Sequence, residues 1–322
     1  MRRRSCLIVA AAVHAGGCAS WFAPQTRALL DADARAAVDS GPAAVELEQV
    51  PFFPQTPFHC GPAALATAMV HAGVDVRPDE LARAVFVPAR EGSLQAEMLA
   101  APRAHDALAT RVPGELQALR RELLAGAPVV VLQNLGLSWQ PRWHYAVLVG
   151  IDLDRAVAVL RSGTVRREVL ALETFELTWA RAGSWAFVVT RPGRWPAGAT
   201  QGEAERAAVG FERAASPRAA MRAYESLLER WPTSFGAAMG LGNVLLALKQ
   251  PADAAAAFER AARAHDRAAA WNNLAIAHAR AGNREAASVA ARRAVQVAQS
   301  HEPALLDAVQ DTASRLARGE VP

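Results

Sequence analysis

Gln55-Thr56-Pro57-Phe58-His59-Cys60-Gly61-Pro62-Ala63-Ala64-Leu65 closes a Pro-rich extended approach and opens a helix. Pro51, Pro54 and Pro57 bias the residues before them towards extended backbone. Pro62 suits the first turn of a helix, Leu65, Met69 and Ala72 recur at helical spacing, and Gly73 supplies a stop. The pattern predicts a helix over 61–72 with Cys60 immediately ahead of it. Partial positive charge at a helix N-terminus is expected to lower the pKa of that thiol and favour the thiolate.

The chain has three cysteines, Cys6, Cys18 and Cys60. Arg2, Arg3 and Arg4, the apolar run 7–13 and Ala15-Gly16-Gly17-Cys18 read as an export signal over 1–17. That apolar run is too short to span a bilayer, which needs about 20 residues. Its ending resembles a bacterial lipobox, with Ala15 where leucine is usual. The resemblance implies lipid on Cys18 and a bacterial cell-envelope protein facing the periplasm. Ser20, where inner-membrane lipoproteins often carry Asp, favours the outer membrane. The alternative is an ordinary signal cleaved near Ala19, with Cys18 lost. Either way Cys60 is left as the lone free thiol of an exported chain, either paired with another chain or used chemically.

Formal charge is +4, and removing the three leading arginines leaves +1. Together with the absence of a basic-aromatic patch or a Gly-rich phosphate loop, this argues against a nucleic-acid partner. No zinc-type spacing occurs, so no metal and no cofactor is expected.

Working outward, residues 18–48 read as a polar tether with a short helix over 26–38. Residues 49–191 read as one α+β domain, with helices at 61–72, 78–85, 93–101 and 114–124. Strands follow at 129–132, 144–150, 156–160, 166–170 and 184–189. A Pro/Gly-rich linker follows over 192–202. Beyond it Leu241-Gly242 aligns with Leu274-Ala275 at a separation of 33, and Tyr224 stands 34 residues before Phe258. Period and positions over 203–300 resemble the tetratricopeptide repeat, with a closing helix and tail over 301–322. Such arrays bind peptides or proteins; a short one also suits bracing of the preceding domain.

A thiol nucleophile needs a base, and His144, at the start of an apolar strand, is the candidate. Gln55 is placed to donate an amide N–H to a developing oxyanion beside the Cys60 backbone N–H. His59 is read as exposed. Trp139 and Trp143 are candidates for cleft or core, and 91–93 for a cleft wall opposite the thiol.

Val50-Pro51-Phe52-Phe53-Pro54-Gln55, the Cys60-Gly61-Pro62-Ala63-Ala64-Leu65 helix start and Trp143-His144-Tyr145-Ala146-Val147-Leu148-Val149-Gly150 resemble the papain-like superfamily. Within it they are most similar to the bacteriocin-processing peptidases, family C thirty-nine, and their stand-alone lipoprotein relatives. The resemblance implies an α+β papain-like cysteine peptidase domain hydrolysing peptide bonds. It makes Cys60 the nucleophile, His144 the general base and Gln55 the oxyanion donor. The family places Asp or Asn about 16 residues after the histidine to orient it. Here Arg161-Ser162-Gly163 stands in that region. Arg161 accepts no hydrogen bond, whereas Ser162 accepts one without charge. Three functions therefore stay open: a lipid-anchored peptidase with repeats that bind substrate or partner, a catalytically degenerate scaffold of the same fold, and amide or acyl transfer by the same cysteine chemistry.

Overall fold

The computed structural model describes residues 23–31, 41–55 and 59–321. The expected signal segment, Cys6 and Cys18 lie outside the described residues. No described helix is long and apolar enough to cross a membrane.

A seven-stranded antiparallel sheet forms the first domain. Its strands are β1 (Ala44–Glu46), β4 (Leu108–Arg111), β5 (Val129–Asn134), β6 (Trp143–Asp152), β7 (Val157–Ser162), β8 (Val165–Ala171) and β9 (Ala186–Thr190). They lie in the order β4-β9-β5-β6-β7-β8, and β1 pairs with the far end of β6. A small hairpin, β2 (Phe86–Val87) with β3 (Gly92–Ser93), stands apart. The centre is β5 and β6, continuous apolar runs that are buried on both faces, as a two-sided sheet demands. Their register pairs Gln133 with His144 and Asn134 with Trp143.

Period-two alternation divides the side chains between two cores. Tyr145, Val147 and Val149 pack with Leu65, Met69 and Leu81 of helices α2 (Cys60–His71) and α3 (Pro78–Val85). Ala146, Leu148 and Ile151 face the opposite layer. That layer holds α1 (Pro24–Leu30), α5 (Leu116–Leu124) and α6 (Leu172–Ala180), and α4 (Gln95–Ala100) follows β3 on the first side. Helix α2 is apolar all round and buried through Gly61–Met69, which fits a helix laid across the sheet rather than on its rim.

The segment expected to be a tether is partly docked. Buried Glu176 on α6 accepts the Gln25 N–H at 3.0 Å and the Thr26 N–H at 2.6 Å, satisfying the open N-terminus of α1. Gln25 also donates to Gly114 O and accepts from Leu116 N. The sequence contains no local signal for this, because Glu176 lies 150 residues away. The edge strands β1 and β4 and helix α6 also escape the sequence reading. Short β1 and β4 have no alternation to detect, and α6 sits between strands where a connection was expected.

The C-terminal part is all helical: α7 (Gln201–Glu212), α8 (Pro217–Arg230), α9 (Phe235–Ala247), α10 (Pro251–His265), α11 (Ala268–Arg280), α12 (Arg284–His301) and α13 (Leu306–Ala317). The first six form three pairs, with first helices starting at 201, 235 and 268, consistent with a helical repeat domain. The earliest pair is complete, where the sequence reading had a partial one. Tyr224 and Phe258 fill the space left by Gly240 and Gly242, so that consecutive helices approach closely.

The two parts share contacts. Helix α7 covers β4, and Leu108 of β4 joins the repeat core. This masks an edge strand that would otherwise be open to pairing. The buried carboxylate of Glu122 accepts the N–H groups of Ala197 and Gly198, while Arg230 donates to the carbonyls of Pro196, Ala197 and Ala199. The linker is thus held from both sides.

Candidate active site

Cys60, Gln55 and His144 line one open cleft of about 1290 Å³. Helix α2 delivers Cys60 at its first residue, and β6 delivers His144 at its second. The 51–55 segment carries Gln55, whose N–H bonds Gly163 O at 2.9 Å. Residues 90–96, which include β3, also line the cleft, and Ser93 sits against Gly61, beside the thiol rather than opposite it as the sequence suggested.

Cys60 is half-buried, and burial pushes its thiol pKa up. Backbone N–H groups of Tyr145, Gly61 and Cys60 itself pull the other way without overcoming it. The expected lowering of the thiol pKa is therefore not what the fold produces: helix N–H groups are present, but desolvation exceeds them. His144 is pushed the other way, its pKa lowered by burial against a smaller opposing effect of Glu168. Both shifts favour a neutral thiol and a neutral imidazole in the one cleft, rather than a preformed ion pair.

His144 Nε2 and Ser162 Oγ lie 2.9 Å apart. A neutral imidazole whose Nε2–H donates to the hydroxyl leaves Nδ1 as the basic nitrogen. Among the described residues no side-chain hydrogen bond joins Cys60 to His144, so each group is held by its own partners. Gln55 donates to Tyr145 O at a long 3.4 Å, which leaves its second amide N–H for another acceptor.

Arg161 points away from the imidazole. Its buried guanidinium donates to Val50 O at 3.3 Å, Glu48 O at 3.1 Å, Arg166 O at 3.0 Å and Leu47 O at 3.5 Å. It ties down the chain leading to Gln55, a positioning role that the sequence does not reveal. His59 is half-buried and stacks on Phe86 at 4.8 Å between ring centres, which replaces the expected exposed position. Trp143 lines the cleft; Trp139 belongs neither to its lining nor to the core.

The roles of two residues went unnoticed in the sequence. Tyr145 offers its N–H to the sulfur, and its hydroxyl, with a pKa raised by burial, donates to Ser93 O at 3.2 Å. Ser93 in turn packs on Gly61: a Cβ at 61 would fall 2.6 Å from the Ser93 Cβ. The Gly after Cys60 was the available signal, since a glycine in a helix's first turn often marks a close neighbour.

Residues 47–187 match the Peptidase_C39 like family. The match runs from just after β1 into β9, includes Gln55, Cys60, His144 and Ser162, and leaves out the helical repeats. Among solved structures, that of a C39-like peptidase from Bacillus anthracis, a designation itself provisional, aligns at 20% identity with a TM-score of 0.38. The alignment covers 45% of this chain and 96% of that one. No curated protein matches.

Proposed function

We propose that the chain is a cysteine peptidase of the cell envelope, anchored by lipid on Cys18, with Cys60 as nucleophile and His144 as general base. The observation that carries the reading is the shared cleft: a helix-start thiol ringed by main-chain N–H groups, with an imidazole oriented by Ser162 and a free amide N–H on Gln55. A neutral pair works by general-base catalysis. His144 Nδ1 takes the proton from Sγ as Sγ bonds to the scissile carbonyl carbon. The carbonyl electron pair moves to oxygen, where the N–H groups of Cys60 and Gln55 receive it. Collapse breaks the C–N bond, and the imidazolium returns its proton to the leaving amine. Water, deprotonated by the same nitrogen, then hydrolyses the thioester.

The helical pairs are read as tetratricopeptide repeats that bind the substrate or a protein partner. The substrate is a peptide or protein met outside the cytoplasm, the outer membrane being the favoured location. A second reading, a peptidase-fold scaffold without turnover, draws on one observation: Ser162, the partner of the imidazole, brings no charge to it. Incubation with a peptide library, read by mass spectrometry for new termini, separates the two. The peptidase reading expects cleavage that Cys60→Ala abolishes and His144→Ala lowers roughly 10²–10⁴-fold. Equal products from the parent chain and Cys60→Ala would leave the scaffold.

A further inference from the structure

The β5–β6 connection, residues 135–142, holds apolar side chains out in water. Leu135 is 46% exposed, Leu137 55%, Trp139 77% and, at its base, Trp143 57%. Of these only Trp143 lines the cleft, so the other three project beyond it. Isolated exposed apolar residues are ordinary, but a contiguous group marks an interaction surface.

This loop is firmly built. Asn134 Oδ1 accepts from Gly136 N at 3.0 Å and from Arg142 N at 2.9 Å, and Leu135 N donates to Arg142 O at 2.9 Å. Leu137 and Gln140 exchange both backbone hydrogen bonds. Arg181, just past α6, clamps Asn134 O with two N–H groups at 3.0 and 3.2 Å. Gly136 leaves no room for a side chain against the backbone of 140–142. These bonds fix the main chain that carries the exposed Leu and Trp side chains.

A second observation concerns where the chain enters the domain. Helix α6 ties two points together. Its Glu176 holds the first N–H groups of α1, and Thr178, about 3 Å further along the axis, accepts from Gln133 at the end of β5. Gln25, in the first turn of α1, bonds Gly114 and Leu116 just past the end of β4, and the pairings of Arg111 with Phe187 and of Ala186 with Val131 put that end level with the end of β5 from which the 135–142 loop projects. Ala23, buried at that entry, lies five residues after Cys18, and five extended residues reach at most about 18 Å. Those residues include Trp21-Phe22.

We propose that the 135–142 loop seats in the interfacial zone of a phospholipid bilayer through Trp139, Leu137 and Leu135, and so holds the mouth of the cleft at the membrane surface. Tryptophan favours that zone because its ring is apolar and its N–H finds partners among headgroups. Arg142, at the loop base, supplies a cation for anionic headgroups. The loop acts with the short leash: one acyl anchor and one interfacial loop fix orientation, which a flexible tether would leave free.

The test is flotation of the mature chain carrying Cys18→Ser, so that acyl chains play no part, with vesicles of phosphatidylethanolamine and phosphatidylglycerol. The parent loop floats with the vesicles, and Leu137→Ser/Trp139→Ser lowers the partition coefficient at least tenfold at an unchanged melting temperature. Lipids brominated near the headgroup quench fluorescence, and Trp139→Phe removes that quenching. Absence of flotation overturns the proposal, as does flotation indifferent to the double substitution. Binding abolished by salt alone would mean charge adsorption, and also overturns it. Loss of peptide cleavage with flotation unchanged would make the loop a peptide-docking surface instead. None of these vesicle readouts requires Cys60 to turn over.

Discussion

Gly61→Ala tests how the thiol is framed. The new Cβ falls 2.6 Å from Ser93 Cβ and 3.3 Å from Met98 Sδ, and meets Ser93 Oγ as well. Carbon atoms rest at about 3.5–4.0 Å, so relief needs a shift approaching 1 Å. Neither side yields easily. Gly61 lies in the first turn of a buried helix, and Ser93 is held by its pairing with Phe86 and by the Tyr145 hydroxyl on its carbonyl. Overpacking of this kind costs about 1–3 kcal/mol. Helix propensity returns at most about 1 kcal/mol, so the net loss is on the order of 1–2 kcal/mol. In a domain of this size that is about 2–4 °C in melting temperature for each kcal/mol. Ser93→Gly removes both the Cβ and the Oγ, so in the double variant most of the loss disappears. The coupling energy in the cycle then matches the single loss, about 1–2 kcal/mol. Thermal melts and urea titrations of the four proteins measure it. A Gly61→Ala variant as stable as its parent, or one that Ser93→Gly fails to rescue, refutes the claim that strand β3 is seated on the glycine.

Alkylation of Cys60 by iodoacetamide is expected to be slow at neutral pH and to rise only above the ordinary thiol value of about 8.5, because burial raises the thiol; a plateau already reached at pH 6–7 would instead reveal an ion pair. The imidazole shift has the opposite sense. A lowered histidine pKa contributes stability that is present above the ordinary value of about 6.5 and fades as pH falls through the lower folded value, so cleavage and stability should both decline on the acid side. Ser162→Ala removes one neutral hydrogen bond, about 0.5–1.5 kcal/mol, and should slow cleavage roughly 2–13-fold without moving the acid limb. Ser162→Asp should move that limb to higher pH; a thousandfold loss in the alanine variant would mean that more than orientation is at stake. Glu122→Ala leaves the buried Gly198 N–H without its acceptor, at about 1–3 kcal/mol. Calorimetry should then resolve separate melting of the sheet domain and the repeats, and a single unchanged transition would argue that Glu122 does not hold the linker.

Local pattern made much of this chain legible. Helix α3 falls at 78–85 as the spacing predicts, and the apolar runs that became β5 and β6 are visible because a strand buried on both faces needs no partner information to be recognised. The 33–34-residue recurrence similarly exposes the helical pairs, since each repeats the same close contact. What stayed hidden depends on distant groups. The docking of α1 needs Glu176, and the turn of Arg161 away from the imidazole needs the carbonyls of 47–50.

The residue types that meet at the cleft are legible along the chain: a cysteine opening a helix, a histidine opening a central strand, and a glutamine on the extended approach. The sequence could not determine the state of the thiol, because helix N–H groups act locally whereas desolvation depends on everything packed around the sulfur. The folded chain sets that balance, and burial leaves the Cys60 pKa raised. Ser162, the acceptor already favoured over Arg161 from the sequence, does lie against His144, whereas the destination of Arg161 depends on the distant carbonyls of 47–50 that only the folded chain brings to it.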